Sequence, residues 1–505
     1  MAKEFLLAID QGTTGSTAVV VGRDGTARGR ANVEFPQHFP APGEVEHDPD
    51  EIWQSVLEAV RRALAAANLT GADIGAIGIT NQRETTLVWD HATGRPIHRA
   101  IVWQDRRTAG RCAGLREAGY LDAVRARTGL VLDPYFSGTK IDWILENVPG
   151  ARARADRGEL RFGTVETYLV HRLTGGAAHV TDVTNASRTL LLDLGTLAWS
   201  APMLELLRVP ASMLPKVVGC AEEVGRTAGV PGLLDGIPIT GLAGDQQSAL
   251  FGQACFDEGD VKCTYGTGAF VLMNVGATPK PSKHGLLTTA AWKLDAKSPA
   301  VYALEGSAFV AGAAVQWLRD GLGLIERAAD IEALARGVAD AGGVYFVPAL
   351  AGLGAPYWDA EARGLITGIT RGTTKAHLAR ATLEAIAHEV ADLVEAMMAD
   401  AALGHGMRMR VDGGASANVL LLELQAAYAR VRVERPRDIE TTARGAAMLA
   451  ALGAGWVPGL PELRSWSAPE RAFEPGGESA VVDEARRGWR AAVARARSER
   501  ARAGA

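Results

Sequence analysis

Apolar positions along the chain fall alternately into short continuous runs and helical periods. Residues 5–9 are all apolar, residues 10–15 interrupt them with Gly and Thr, and residues 18–21 resume the apolar run. Two β-rich runs around a Gly/Thr turn predict a hairpin. Ile52, Val56, Val60 and Leu64 recur at every fourth position, which predicts a helix over residues 52–67. Residues 74–80 read as a buried strand, and residues 87–89 and 101–103 as strands around the Thr93-Gly94 turn. This alternation predicts an α/β fold.

The opening pattern returns about 250 residues later. Asp260-Val261-Lys262-Cys263-Thr264 leads into Tyr265-Gly266-Thr267-Gly268, and residues 269–275 are again apolar. The recurrence predicts two similar halves, residues 1–252 and 253–505, with 243–257 at their junction. A cleft between such halves is a favoured place for a ligand. Further on, residues 409–411 read as a strand and 419–429 as a helix. Residues 378–398 have helical periodicity that suits packing or an oligomer contact. The basic, Ala-rich tail 486–502 carries Trp489 and Val493 on one face, the pattern of a helix docked by its apolar side.

Composition narrows the class. A chain of 505 residues exceeds one ordinary core, and 47% hydrophobic with 22% charged residues is a globular profile. The 53 basic against 58 acidic side chains give −5, which disfavours a dedicated nucleic-acid binder. No uncharged apolar run has a membrane span's length. Residues 5–9 are too few for a signal-peptide core, and Asp10 follows them at once. Cys112, Cys220, Cys255 and Cys263 form no Cys-x-x-Cys pair, so neither a disulfide framework nor a zinc site is expected. His38, His47 and His171 have no metal-ligand spacing. A cytoplasmic protein with reduced thiols is the expectation.

Several nucleotide-binding motifs are excluded. The chain contains no Gly-Lys dipeptide and hence no P-loop, and no strand–turn–helix segment carries Gly-x-Gly-x-x-Gly. Three Gly-rich turns remain: Gly12-Thr13-Thr14-Gly15, Gly266-Thr267-Gly268, and Asp412-Gly413-Gly414-Ala415-Ser416-Ala417-Asn418. Glycines let backbone N–H groups approach an anion, and threonine hydroxyls add donors. The third turn, between strand and helix, also offers a helix N-terminus for phosphate or an adenine ring. Each turn alone reads more readily as a structural hairpin, and the ordered set with acids beside it is what points to phosphate. Beside them stand Asp10 and Asp245, carboxylates suited to Mg²⁺ and to taking a proton from an attacking hydroxyl. Asp245 also reads as an N-cap for a helix at 247–253, a role compatible with either. In the polar cluster Thr80-Asn81-Gln82-Arg83-Glu84-Thr85-Thr86, Arg83 and Glu84 supply the donor and acceptor that a polyol hydroxyl uses. A surface salt bridge fits the same pair.

Taken in order, residues 10–15, 81–86, 133–140, 244–247, 265–268 and 412–418 resemble the pattern of the glycerol kinases, within the larger FGGY carbohydrate kinase family. The resemblance runs from about residue 5 to 455. It implies two actin-like (ribonuclease H-like) ATPase domains around a catalytic cleft. The activity it implies is ATP-dependent phosphorylation of glycerol to sn-glycerol 3-phosphate, the first step of glycerol catabolism, with Mg²⁺. By the same resemblance Arg83, Glu84, Tyr135, Asp245 and Gln246 bind the glycerol hydroxyls, and Trp103 and Phe270 face its carbons. Thr13, Thr14, Gly15, Thr17, Thr267, Gly312, Gln316, Gly414 and Asn418 contact ATP. Asp10 and Asp245 lie near Mg²⁺, Asp245 is the base, and a homodimer or homotetramer is implied. Thr17 stands where many relatives have arginine, and residues 225–237 lack the regulatory loop of the feedback-controlled enzymes. Alternatives are another FGGY kinase acting on a pentulose, or a non-metabolic actin-like ATPase.

Overall fold

The computed structural model describes residues 3–402, 407–438 and 440–499. The opening apolar runs form the antiparallel strands Phe5–Gln11 and Gly15–Gly22, extended by Ala27–Glu34. On the other side of Phe5–Gln11, Ile74–Asn81 pairs in parallel, followed by Pro238–Gly244, also parallel, and the short Gly225–Arg226. The sheet is covered on both faces, which explains why these strands read as continuous apolar runs. Leu7, Ile9 and Val20 pack with Ile52, Val56 and Val60 of the helix Pro49–Ala66. That helix starts where Asp48 accepts from the Asp50 N–H at 2.9 Å and Pro49 takes the first position.

The second half repeats the frame. Val261–Tyr265 pairs antiparallel with Ala269–Asn274 and parallel with Arg408–Asp412, which pairs parallel with Arg432–Pro436. Ala300–Ala308 and Leu287–Lys293 extend the hairpin side, and Pro469–Phe473 closes the other edge. The five central strands thus follow one spatial order in both halves, the ribonuclease H-like pattern implied by the resemblance.

The halves meet through helices. Asp245–Gly252 follows the last parallel strand of the first sheet, and Thr441–Gly453 follows its counterpart in the second. Thr441–Gly453 lays Ala443, Ala446, Ala447 and Ala450 against Leu6, Ala8, Val19 and Val21 of the first sheet. The two helices cross at Gly252 and Gly445: a Cβ on Gly252 would overlap the Thr441 carbonyl, and one on Gly445 the Ser248 carbonyl. Only hydrogen fits there.

Three expectations change. Leu87–Asp90 and Ala100–Ile101 do face each other around the Thr93-Gly94 turn, where Thr86 and Ile101 exchange backbone hydrogen bonds at 2.9 and 3.0 Å. But Leu87–Asp90 also pairs with Leu160–Gly163 and Ala100–Ile101 with Glu46–His47, and Trp103 lies outside a strand. The helix Lys375–Ala401 is buried along most of its length in the second core, so it serves packing rather than an oligomer contact. The tail helix is Ser479–Ala496, docked as expected through Trp489 and Val493; residues 500–502 of the expected helix lie outside the described residues.

Candidate active site

The cluster at 80–86 is anchored before it is functional. Gln82 accepts no freedom of its own: its N–H reaches the Gln11 carbonyl at 2.7 Å and its Nε2 the Gln11 side chain at 3.0 Å. Asn81 and Asn185 exchange amide hydrogen bonds at 3.0 Å each way. Glu84 sits at φ +61°, a left-handed conformation that costs a β-carbon residue energy and persists where its surroundings over-determine it. Here Ser137 Oγ donates to its carbonyl at 2.9 Å and Arg188 Nε to its carboxylate at 2.6 Å.

Arg83 is 2% exposed, which removes the surface-salt-bridge reading. Its fork donates to both oxygens of Glu305, Nη1 at 2.6 Å and Nη2 at 2.9 Å, while its Nε faces Asp245 Oδ1 at 3.2 Å. Glu84 lies farther away, at 3.8 Å. Arg188, fully buried, donates to Glu305 as well, at 3.0 Å. Burial alone would raise the Glu305 carboxyl; Arg188 and Arg83 outweigh it and hold it at about 2. Burial raises Glu84 despite the same two arginines. Arg83 thus spans the halves, and its bidentate pair with Glu305 is the geometry arginine forms best.

Around this cluster the aromatic groups assemble. Tyr135 accepts from Arg83 Nη2 at 3.4 Å and meets the edge of Trp103 at 5.5 Å between ring centroids. Trp103 Nε1 donates to Thr13 Oγ1 at 3.0 Å, linking the first Gly/Thr turn to the polar cluster. Phe270, on the strand Ala269–Asn274 opposite Ser307, stacks on no ring among the described residues. Lys140, fully buried, donates to the Tyr135 carbonyl at 2.9 Å.

Asp245 is the first residue of its helix and Gly244 is the cap, so the N-cap reading is incorrect: Asp245 Oδ1 accepts from the adjacent Gln246 N–H at 2.7 Å. Its side chain keeps 29% exposure, open to a ligand. Burial raises its carboxyl above the ordinary range, opposed by Arg83 and Lys262. Asp10 lies beside Thr80, one residue before the end of the first strand, and its carboxylate has no hydrogen-bond or ion-pair partner among the described residues. Burial, then Asp245 and Glu440, push it up to about 8. Among the described residues no three His, Cys, Asp or Glu converge as a metal cage. Two under-neutralised carboxylates nevertheless suit Mg²⁺, which completes its shell with water and phosphate oxygens.

Residues 5–252 match the N-terminal domain of the FGGY family of carbohydrate kinases, and residues 261–454 match its C-terminal domain. The chain belongs to the FGGY family of carbohydrate kinases. It is 56% identical over 495 residues to a glycerol kinase of Myxococcus xanthus (strain DK1622), covering 98% of this chain and 99% of that one. Identity to a glycerol kinase of Bordetella parapertussis is also 56% over 495 residues, with 97% of each covered. A Plasmodium falciparum glycerol kinase crystallised with ADP superposes with TM-score 0.93 at 34% identity, over 97% of this chain and 98% of that one. A gluconate kinase from Lactobacillus acidophilus shares the fold, with TM-score 0.87 at 22% identity over 96% and 97% of the chains.

In this FGGY kinase the other expected site residues form two groups. Thr13 and Thr14 make the first turn, Gly15 begins the next strand, and Thr17 Oγ1 accepts from Asn32 at 2.9 Å. In the second half the Gly266–Gly268 turn lies on the start of the helix Gly312–Asp320: Gly312 N–H reaches the Gly266 carbonyl at 3.0 Å, and Ala311 N–H the Thr267 carbonyl at 2.8 Å. Gln316 is exposed one turn further along. Gly413, at φ +81°, packs so tightly over Tyr265 that a Cβ would overlap its carbonyl. Gly414 is exposed beside it. The helix N-terminus behind this turn is already occupied. Asn418 Oδ1 accepts from Leu421 N–H at 2.9 Å, and Glu332 takes Val419 N–H at 3.0 Å, so any anion must use the turn itself.

Sequence reading missed Arg188, Glu305 and Lys262 as site residues. The available signal was an ionisable residue inside an apolar strand, as in Tyr302-Ala303-Leu304-Glu305-Gly306, because a buried charge requires a partner.

Proposed function

We propose that the chain transfers the γ-phosphoryl group of ATP to a terminal hydroxyl of glycerol, giving sn-glycerol 3-phosphate and ADP. The observation that carries this reading is Asp245. It is a partly exposed carboxylate at the mouth of a buried Arg83–Glu305–Arg188–Glu84 network, on a chain that follows glycerol kinases along nearly its whole length. Asp245 accepts the proton of the attacking hydroxyl, and its raised carboxyl range favours that transfer. Arg83, Glu84, Tyr135 and Gln246 hold the glycerol hydroxyls, while Trp103 and Phe270 face its carbons.

Residues 1–252 act as the polyol-holding domain and 253–505 as the nucleotide-holding domain. Thr13, Thr14, Gly15 and Thr17 meet the phosphates from one side. Thr267, Gly312, Gln316, Gly414 and Asn418 meet the nucleotide from the other, Asn418 with the amide nitrogen its cap leaves free. Asp10 and Asp245 would hold Mg²⁺, which would supply neutralising charge to the phosphates. Closure of the halves keeps water from competing with the hydroxyl. The reading places the enzyme in the cytoplasm, in keeping with four buried unpaired cysteines, and as a homodimer or homotetramer. Among the described residues no helix is long and apolar enough to cross a membrane.

The test is ATP consumption by the purified chain with glycerol, a pentulose, gluconate or no acceptor. Glycerol is expected to give the fastest turnover. Faster phosphorylation of a pentulose or gluconate, or acceptor-independent hydrolysis as the main activity, would overturn the reading.

A further inference from the structure

Two consecutive glutamines stand at the cleft, and the structure treats them differently. Gln247 spends both ends of its amide on the protein: Oε1 accepts from Arg83 Nη1 at 3.2 Å, and Nε2 donates to the Ala290 carbonyl at 3.2 Å and Thr289 Oγ1 at 3.3 Å. Gln246 is half-buried, and its Oε1 accepts from Lys262 Nζ. Its Nε2 is left on the cleft side beside the Asp245 carboxylate, which the Gln246 side chain helps to keep charged. Lys262 is fully buried on the second-half strand Val261–Tyr265 and also donates to Thr264 Oγ1 at 2.9 Å.

An ammonium donates hydrogen bonds and accepts none. Whatever amide atom faces Lys262 must therefore be the oxygen, and the nitrogen must face the other way. We propose that Lys262 is a positioning residue: it locks the Gln246 amide so that Nε2 points into the cleft as an obligate donor to a substrate hydroxyl oxygen. The assignment rests on the proposed function for the identity of that substrate. A neutral partner with both donor and acceptor, such as threonine, would leave the amide free to turn over.

The shared frame of the two halves shows that the fold itself has no need of this lysine. Each opening strand ends one residue before the first glycine of its turn, at Gln11 before Gly12 and at Tyr265 before Gly266. The neighbouring parallel strand confirms the match, with Thr80 beside Asp10 and Asp412 beside Thr264. By that alignment Lys262 corresponds to Ala8, a fully buried alanine packed under the helix Thr441–Gly453. A small apolar residue satisfies the strand in one half. A buried cation in the other reaches beyond its strand: besides Thr264 on the same strand, its acceptor is Gln246 from the opposite half.

The experiment compares the parent chain with Lys262→Met and Gln246→Glu at saturating ATP. Substrates are glycerol, its two monodeoxy analogues, and the fluoro counterparts in which fluorine, an acceptor only, replaces the missing hydroxyl. If the parent chain prefers another polyol, that polyol and its analogues replace glycerol, so a failure of the substrate reading leaves this test intact. For Lys262→Met, KM for the polyol is expected to rise about tenfold, the scale of losing one oriented hydrogen bond, with kcat within about threefold. At one position the parent chain should favour the fluoro over the deoxy analogue. Both variants should lose that preference, since one frees the amide and the other, while keeping Lys262 paired, replaces the donor by an acceptor. Parental KM in Lys262→Met, or a loss confined to kcat, would overturn the assignment. If Lys262→Met does not fold, an unchanged fluoro preference in Gln246→Glu overturns it.

Discussion

The two halves are built on one strand order and differ in what interrupts it. In the second half the chain passes from Arg408–Asp412 to Arg432–Pro436 through one turn and one helix, residues 413–431. In the first half the corresponding stretch, residues 82–237, is a whole lobe with its own core of Val88, Phe136, Ile144 and Phe162. Phosphate-type turns need only backbone and hydroxyls, which the common frame supplies twice. A site selective for hydroxyl patterns needs projecting side chains, and Arg83, Trp103, Tyr135 and Arg188 all come from the added lobe. The frame has also exchanged its acids. The first half carries Asp10 beside Thr80, the second Thr264 beside Asp412, one carboxylate oxygen of which accepts from Thr441. One carboxylate has no partner among the described residues and the other is tied to the helix of its own half.

The largest expected effect tests this specialisation at the chemistry. Asp245→Asn should lower turnover roughly 10²–10⁴-fold, the range of a positioned base, with the fold intact by circular dichroism. Parental turnover in that variant would remove the base from the first half. Next is the pair that joins lobe to frame. Glu305→Gln leaves Arg83 and Arg188 buried without their shared carboxylate, and should cost about 3–5 kcal/mol in a denaturant titration. The pH dependence follows from the sign of the shift. The Glu305 carboxyl is held at about 2 in the folded chain, below its unfolded value, so its contribution is full above the ordinary carboxylate range and lost as pH falls toward 2. The variant should lack that part of the acid loss. A variant equally stable across the whole range would show that the halves are not joined through this pair. The smallest effect lies at the crossing of the two helices. Gly445→Ala should destabilise by about 1–3 kcal/mol, read as a lowered Tm, because its methyl must displace the Ser248 carbonyl. An unchanged Tm would mean that the helices part easily and that the frame's symmetry axis is loose.

Much of the frame is legible in local pattern. Both Gly/Thr hairpins appear where apolar runs flank them, and the helix predicted over residues 52–67 is realised as Pro49–Ala66, with Asp48 as its cap. The misreadings are equally physical. Residues 87–89 and 101–103 flank a good turn and bridge across it at Thr86–Ile101 and Trp89–Pro96. Yet the second strand stops at Ile101 and each segment also pairs with a strand elsewhere, since strand pairing is decided by which neighbours complete a core. Asp245 carries an N-cap residue type, but Gly244 already adopts the extended cap conformation, so the carboxylate stays available. Asn418 shows the reverse: a residue expected on the nucleotide also caps its own helix.

What the sequence determined by itself is therefore everything set within a few residues: the turns, the caps, the periods, the doubled frame, and the acids and polar cluster that marked a kinase-like chemistry. The tertiary structure alone decided which charges meet. Arg83 finds Glu305 and Lys262 finds Gln246 across the two halves, and neither pairing follows from residue type, because a buried charge accepts any partner that the folded geometry delivers. Local hydrogen bonding is written in spacing along the chain. The pairing of buried ions depends on burial, which exists only once the two sheets have closed around them.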